Sequence, residues 1–154
     1  MKSHQETLHF KIVLSGSYWN TVPEYSILID DTVIERDAIK HKSNELFEVE
    51  FSQTLDEGSH SLKIRLENKT NRDTVIDADG NIVDDMLLNI EDIVIDDISI
   101  GSLKWTKSKY ITDSEVMFQG KHTSTIKNCV NLGFNGSYIL EFTLPYYVWL
   151  LENL

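Results

Sequence analysis

The chain has one cysteine, Cys129, so it cannot close a disulfide within itself, and a cysteine-rich zinc site is equally excluded. Basic residues are few. Fourteen Lys and Arg against 25 Asp and Glu leave a formal charge of −11, which repels a phosphate backbone and argues against nucleic acid as a partner. No apolar run approaches the roughly 20 residues of a membrane span, so no membrane partner is expected either. The opening residues, Met1-Lys2-Ser3-His4-Gln5-Glu6, run into a strand-like pattern without an apolar leader. The expectation is therefore no export signal and cytoplasmic synthesis, which leaves the glycosylation triplets Asn68-Lys69-Thr70 and Asn135-Gly136-Ser137 idle. Catalytic signatures are missing as well: there is no H-E-x-x-H, G-x-S-x-G, P-loop or G-x-G-x-x-G. His4, His9, His41, His60 and His122 form no recognised metal-ligand motif. Only an Asp/Glu acid-base pair, recognised by its separation in space, keeps a glycan-active enzyme open as a third reading.

What is present is alternation. Phe10, Ile12 and Leu14 fall on one strand face, as do Ile27 with Ile29, and Phe47, Val49 and Phe51 with Glu48 and Glu50 between them. Leu62-Lys63-Ile64-Arg65-Leu66 alternates without error, as a half-buried antiparallel sheet requires. Leu88, Ile90, Ile93 and Ile95 shift phase once, which calls for a β-bulge, and Tyr138, Leu140 and Phe142 give a last strand. Asp30-Asp31, Asp56-Glu57-Gly58, Asp77-Ala78-Asp79-Gly80-Asn81 and Asp96-Asp97 are turn signals between these runs. The echo I-x-I-D-D-x-x-I at 27–34 and 93–100 reads as two tight hairpins. With 41% apolar residues, residues 1–154 read as one all-β domain, an antiparallel β-sandwich or jelly roll, with residues 145–154 as an apolar C-terminal tail.

Two features point to binding. Between Asp73 and Asp97 lie eight aspartates and Glu91, and a bound cation would relieve their mutual repulsion. Calcium, which takes about six to eight oxygen ligands, is the natural candidate, with Asp77, Asp79, Asp84 and Asp85 as candidate ligands. An EF-hand is rejected because Ile82 stands where glycine is needed and Leu88 where glutamate is needed; a solvated acidic hairpin turning at Asp79-Gly80 is the plain alternative. The second feature is aromatic: Tyr18 and Trp19 follow the first strand, and Trp105 and Tyr110 lie in a polar segment. Rings in loops stack well on sugar faces, although each ring alone more often anchors its loop to the core.

The arrangement resembles the calcium-dependent xylan-binding carbohydrate-binding modules, through the hairpin at 27–34, the strand Leu62-Lys63-Ile64-Arg65-Leu66-Glu67-Asn68-Lys69, and the stretch from Asp85 to Asp97. The likeness covers roughly residues 25–97. It implies a jelly roll whose loop-bound calcium ligates sugar hydroxyls, with Asp85 as a ligand. It also implies a polysaccharide or host surface glycan as partner. Lys69 stands where the family pattern has Asp, and an ammonium there opposes a cation. In overall style the chain is also similar to small virion proteins of tailed bacteriophages. The expected function is thus a non-catalytic, carbohydrate-binding β-sandwich, and the alternative is a virion structural protein without a sugar site. Tyr146, Tyr147 and Trp149 are the candidate partner contacts: the tail suits docking on another copy or on another virion protein, with Trp149 as anchor, and equally suits capping one end of the sandwich.

Overall fold

A computed structural model describes residues 4–154. The chain forms β1 (Gln5–Ser17), β2 (Glu24–Ile29), β3 (Thr32–Ala38), β4 (Phe47–Asp56), β5 (Gly58–Leu66), β6 (Val75–Ile76), β7 (Ile82–Asp84), β8 (Leu87–Ile95) and β9 (Ile98–Ser99). There follow α1 (Leu103–Thr106), β10 (Ser108–Phe118), β11 (Lys121–Lys127), β12 (Asn131–Leu132), β13 (Gly136–Leu144) and α2 (Tyr146–Asn153). One sheet runs β12-β8-β1-β4 with β9 added to β8, the other runs β11-β10-β13-β5-β2-β3, and β6-β7 form a separate ribbon. Every pairing is antiparallel. The fold is an all-β sandwich.

The alternating residues supply its core. Phe10, Ile12, Leu14, Ile27, Ile29, Leu62, Ile64, Leu66, Ile90, Ile93, Leu140 and Phe142 are all buried, whereas Phe47 is half-buried and stacks on His41 with 4.9 Å between ring centres. The phase shift in β8 is a bulge. Val13 pairs with Asp92 and Leu14 with Ile90, so Glu91 is the extra residue, and its carboxylate accepts from Ser15 Oγ at 2.8 Å. Both Asp-Asp pairs turn hairpins with left-handed backbone at each aspartate (φ 49° and 67°; 51° and 65°). The short β9 returns from the second of these, and α1 leads from it to the other sheet.

The tail is helix α2. Tyr146, Trp149 and Leu150 turn inward, and Trp149 meets Phe142 edge to face, while Tyr147, Val148, Leu151 and Leu154 face out. Trp149 is 7% exposed, which corrects the expectation that it and Tyr146 anchor a partner: their rings cap the sandwich instead. No helix among the described residues is long and apolar enough to cross a membrane.

Candidate functional site

Strand register gathers several loops at one end of the sandwich. Ser17 lies beside Leu87, and Leu66 lies between Tyr25 and Gly136. Gly136 must be glycine, because a Cβ there would stand 2.4 Å from the Ile111 carbonyl oxygen. Two asparagines then tie loop to loop. Asn68 Nδ2 donates to the Val22 carbonyl at 2.9 Å while its Oδ1 accepts from Glu24 N–H at 2.8 Å. Asn135 Oδ1 accepts from Lys69 N–H at 2.7 Å, and its Nδ2 donates back to the Lys69 carbonyl at 2.9 Å. Thr70 and Asp73 form a capping box on the single 3-10 turn between β5 and β6. At this end lies an open cavity of about 550 Å³ lined by Lys69, Thr70, Thr74, Asp113, Phe134 and Asn135 among others.

Charges around this cavity are paired. Lys69 Nζ lies 2.6 Å from Asp85 Oδ1 and donates to the Gly133 carbonyl at 2.6 Å, and it sits over the Phe134 ring at 5.8 Å from the centroid. Asp85 Oδ1 also accepts from Thr74 Oγ1 at 2.7 Å and from Met86 N–H at 2.9 Å. Arg65 bonds Asp113 and Glu67; burial works against its charge, but these partners outweigh it and raise its pKa above the ordinary value. One buried oxygen, Asp73 Oδ1, has no hydrogen-bond partner.

The aromatic candidates separate. Trp19 is 48% exposed, and its indole N–H is spent on the Asp73 carbonyl at 2.9 Å, which holds the half-open ring beside the 3-10 turn that precedes the cavity-lining Thr74. Tyr18 is half-buried and donates to the His41 carbonyl. Trp105 lies on α1 beneath the Lys104 ammonium, which in turn donates to the Glu91 carbonyl along the sandwich edge. Tyr110 is 1% exposed, correcting its reading as a sugar-stacking ring. It faces inward from β10, and its hydroxyl both accepts from Phe134 N–H at 2.9 Å and donates to the Phe134 carbonyl. Burial raises its pKa. Phe134 and Asn135 escaped sequence reasoning; the available cue is Asn135-Gly136, a turn pair heading the last strand.

The acidic candidates separate as well. Asp77 Oδ1 accepts N–H bonds from Asp79 and Asn81, both at 2.9 Å, so backbone donors satisfy it at the tip of the β6-β7 ribbon. Asp79 and Asp84 are exposed there, and only Asp85 reaches the cavity region. Among the described residues no three His, Cys, Asp or Glu side chains stand close enough to share a metal ion.

A second cavity, of about 520 Å³, lies at the opposite end beside Asp30, His60, Glu141 and Trp149. Its Trp149 offers no open face, and its carboxylates are engaged: Asp30 by His60 and Ser61 N–H, Glu141 by Lys109 at 3.7 Å.

No family model matches the chain, and no curated protein matches it. Two solved structures share its fold. The structure of vCBM60 in complex with galactobiose is 12% identical and covers 86% of this chain and 96% of its own, with a TM-score of 0.53. The selenomethionine form of vCBM60, described with a circular permutation linking two families of calcium-dependent carbohydrate-binding modules, is 11% identical and covers 86% and 89%, with a TM-score of 0.56. At such identity the likeness establishes the fold alone.

Calcium fits poorly at this loop end. It needs about six to eight oxygens at roughly 2.3–2.6 Å. Asp85 Oδ1 already accepts three donors, one of them an ammonium, and a metal on that oxygen would face the Lys69 charge at contact distance. The unpartnered Asp73 Oδ1 is the one feature that favours a cation, and one carboxylate oxygen does not make a calcium site.

Proposed function

We propose that the protein is a non-catalytic carbohydrate-binding β-sandwich, an adhesin or accessory module, which takes a neutral oligosaccharide at the loop end beside Lys69, Asn135, Phe134 and Trp19. The observation that carries this reading is the cavity itself. Its polar groups Lys69 and Asn135 are fixed by their reciprocal bonds, and the half-exposed Trp19 is held at the same loop end by its bond to the Asp73 carbonyl. Hydroxyls need fixed donors and acceptors, and the C–H-rich face of a pyranose needs an aromatic platform. The likeness to a module solved with galactobiose supports the same class of ligand.

Binding requires no chemistry of the acids. Asp113 is neutralised by Arg65, and Glu115 lies 3.4 Å from His122 on the surface. Purified protein should accordingly release no reducing ends from polysaccharides.

Titration calorimetry against galactobiose and a panel of neutral oligosaccharides tests the proposal. Trp19→Ala should weaken the best ligand about 3–10-fold, the worth of one stacking ring, and lower the melting temperature by a few degrees as the bond to the Asp73 carbonyl is lost. Trp105→Ala should leave affinity as it was. Equal losses for both, or no binding across the panel, would count against this site.

A further inference from the structure

The neighbours in fold are described with calcium-dependent families, yet this loop end holds a charged amine against the Asp85 carboxylate. The geometry points to Lys69 as a built-in cation: its ammonium closes the loop end by bridging Asp85 and the Gly133 carbonyl, and it binds a ligand hydroxyl oxygen directly, so that the site works without metal. The second half of this statement rests on the sugar-binding reading above, and the first does not.

Three observations support it. The Lys69 side chain is only 11% exposed and that of its partner Asp85 21%, so the pair is held mostly out of water. The bonds of Lys69 join three segments, since its backbone N–H and carbonyl engage Asn135 while its Nζ engages Asp85 and Gly133. A metal clip at a loop cluster has the same topology, tying distant segments through one positive centre. Finally, an ammonium carries three N–H donors, and two have acceptors among the described residues. The third remains for a ligand, and Lys69 lines the cavity. A sugar hydroxyl, which accepts as well as donates, suits that N–H.

For calcium to enter, Lys69 would have to withdraw, leaving the Gly133 carbonyl without its donor and exposing a positive charge to another. Replacing the lysine should reverse the preference. Lys69→Asp removes the ammonium and adds a carboxylate to the loop that faces Asp85, the Gly133 carbonyl and the Thr74 hydroxyl, so that the oxygens left there suit a hard cation brought in between them.

The test is thermal unfolding of native protein, Lys69→Met and Lys69→Asp, each with millimolar calcium and with chelator. Native protein should melt at one temperature in both. Lys69→Met should melt roughly 5–10 °C lower, because Asp85 keeps its charge without a counter-ion. Lys69→Asp should melt low in chelator and regain several degrees in calcium through binding to the folded state. If Lys69→Asp does not fold, Lys69→Asn, which removes the charge and keeps an oxygen donor, serves in its place. Calcium stabilisation of the native protein would overturn the inference, and so would a Lys69→Met variant as stable as the native chain. A calorimetric titration of native protein with its best oligosaccharide, with and without chelator, adds the ligand arm. Chelator-sensitive affinity refutes the metal-free site. Absence of any glycan binding refutes the sugar-binding reading and with it the hydroxyl contact, while the melting data decide the clamp independently.

Discussion

His60 shows how a single side chain couples a turn to solution conditions. Its Nδ1 meets the Asp30 carboxylate and its Nε2 the Asp56 carbonyl, two acceptors, so the ring is best satisfied with both nitrogens protonated. Burial opposes that charge, but the hydrogen bonds to Asp30 and Asp56 outweigh it and raise the pKa above the ordinary 6.5. A raised folded pKa means that the charged ring stabilises the native state fully below the unfolded value, and that this contribution is lost as pH rises through the folded value. The melting temperature should therefore fall as pH climbs from about 6 toward 8, and His60→Gln should flatten that slope. An equally steep decline in the variant would assign the effect to other groups. Bonds of this kind explain how Asp-Asp serves both tight hairpins where Asn-Gly is usual: Asp30 Oδ1 accepts from Ser61 N–H at 2.9 Å and, in the other hairpin, Asp96 Oδ1 from His9 N–H at 2.8 Å. Each aspartate offsets its left-handed backbone with a bond to a neighbouring strand. Charge is what the composition displays at these positions, and hydrogen bonding is what they contribute.

Helix α2 divides its apolar residues between two environments, and only one of them contributes to stability. Trp149 packs against Phe142 and Tyr146, whereas Leu151 is open to solvent. Trp149→Ala should cost about 3–5 kcal/mol in denaturant unfolding, and Leu151→Ala should stay within about 0.5 kcal/mol of the native chain. Comparable small losses would mean that the helix does not cap the sandwich. A run that is apolar on every side carries no periodicity, so the sequence reads equally as strand or helix there and does not say which rings face inward. The alternating strands behaved otherwise. In β5 the charged Lys63 and Arg65 leave no doubt about which face Ile64 takes, and the β8 bulge at Glu91 was legible from its phase slip. The candidate site was legible only in fragments. Trp19 and Asp85 could be named from local context, but Phe134 and Asn135 come from a loop far along the chain and meet Lys69 only through the pairing of β13 with β5. Tyr110 misled because its polar neighbours suggest a loop, while the strand they belong to turns its ring inward.

A chain of formal charge −11 carries a field that acts on every ligand before any contact forms. The cations at the loop end do not reverse that field, because Lys69 and Arg65 are each spent on carboxylates, and Asp113 and Glu115 line the same cavity. A sulfated or uronic-acid glycan therefore approaches against repulsion and must place its anions where no unpaired partner waits, whereas a neutral oligosaccharide loses nothing to the field. Screening discriminates between the two, since the Debye length shrinks from roughly 30 Å at 0.01 M salt to roughly 3 Å at 1 M. Affinity for the best neutral ligand should change little across that range, because stacking and hydroxyl hydrogen bonds are short-ranged. Its sulfated counterpart should bind more weakly at low salt and recover toward the neutral ligand as salt rises. Calorimetry of the matched pair at both salt levels checks this. Tighter binding of the sulfated sugar at low salt, fading as salt is added, would place the site on a basic surface of the sandwich instead of at the Lys69 end.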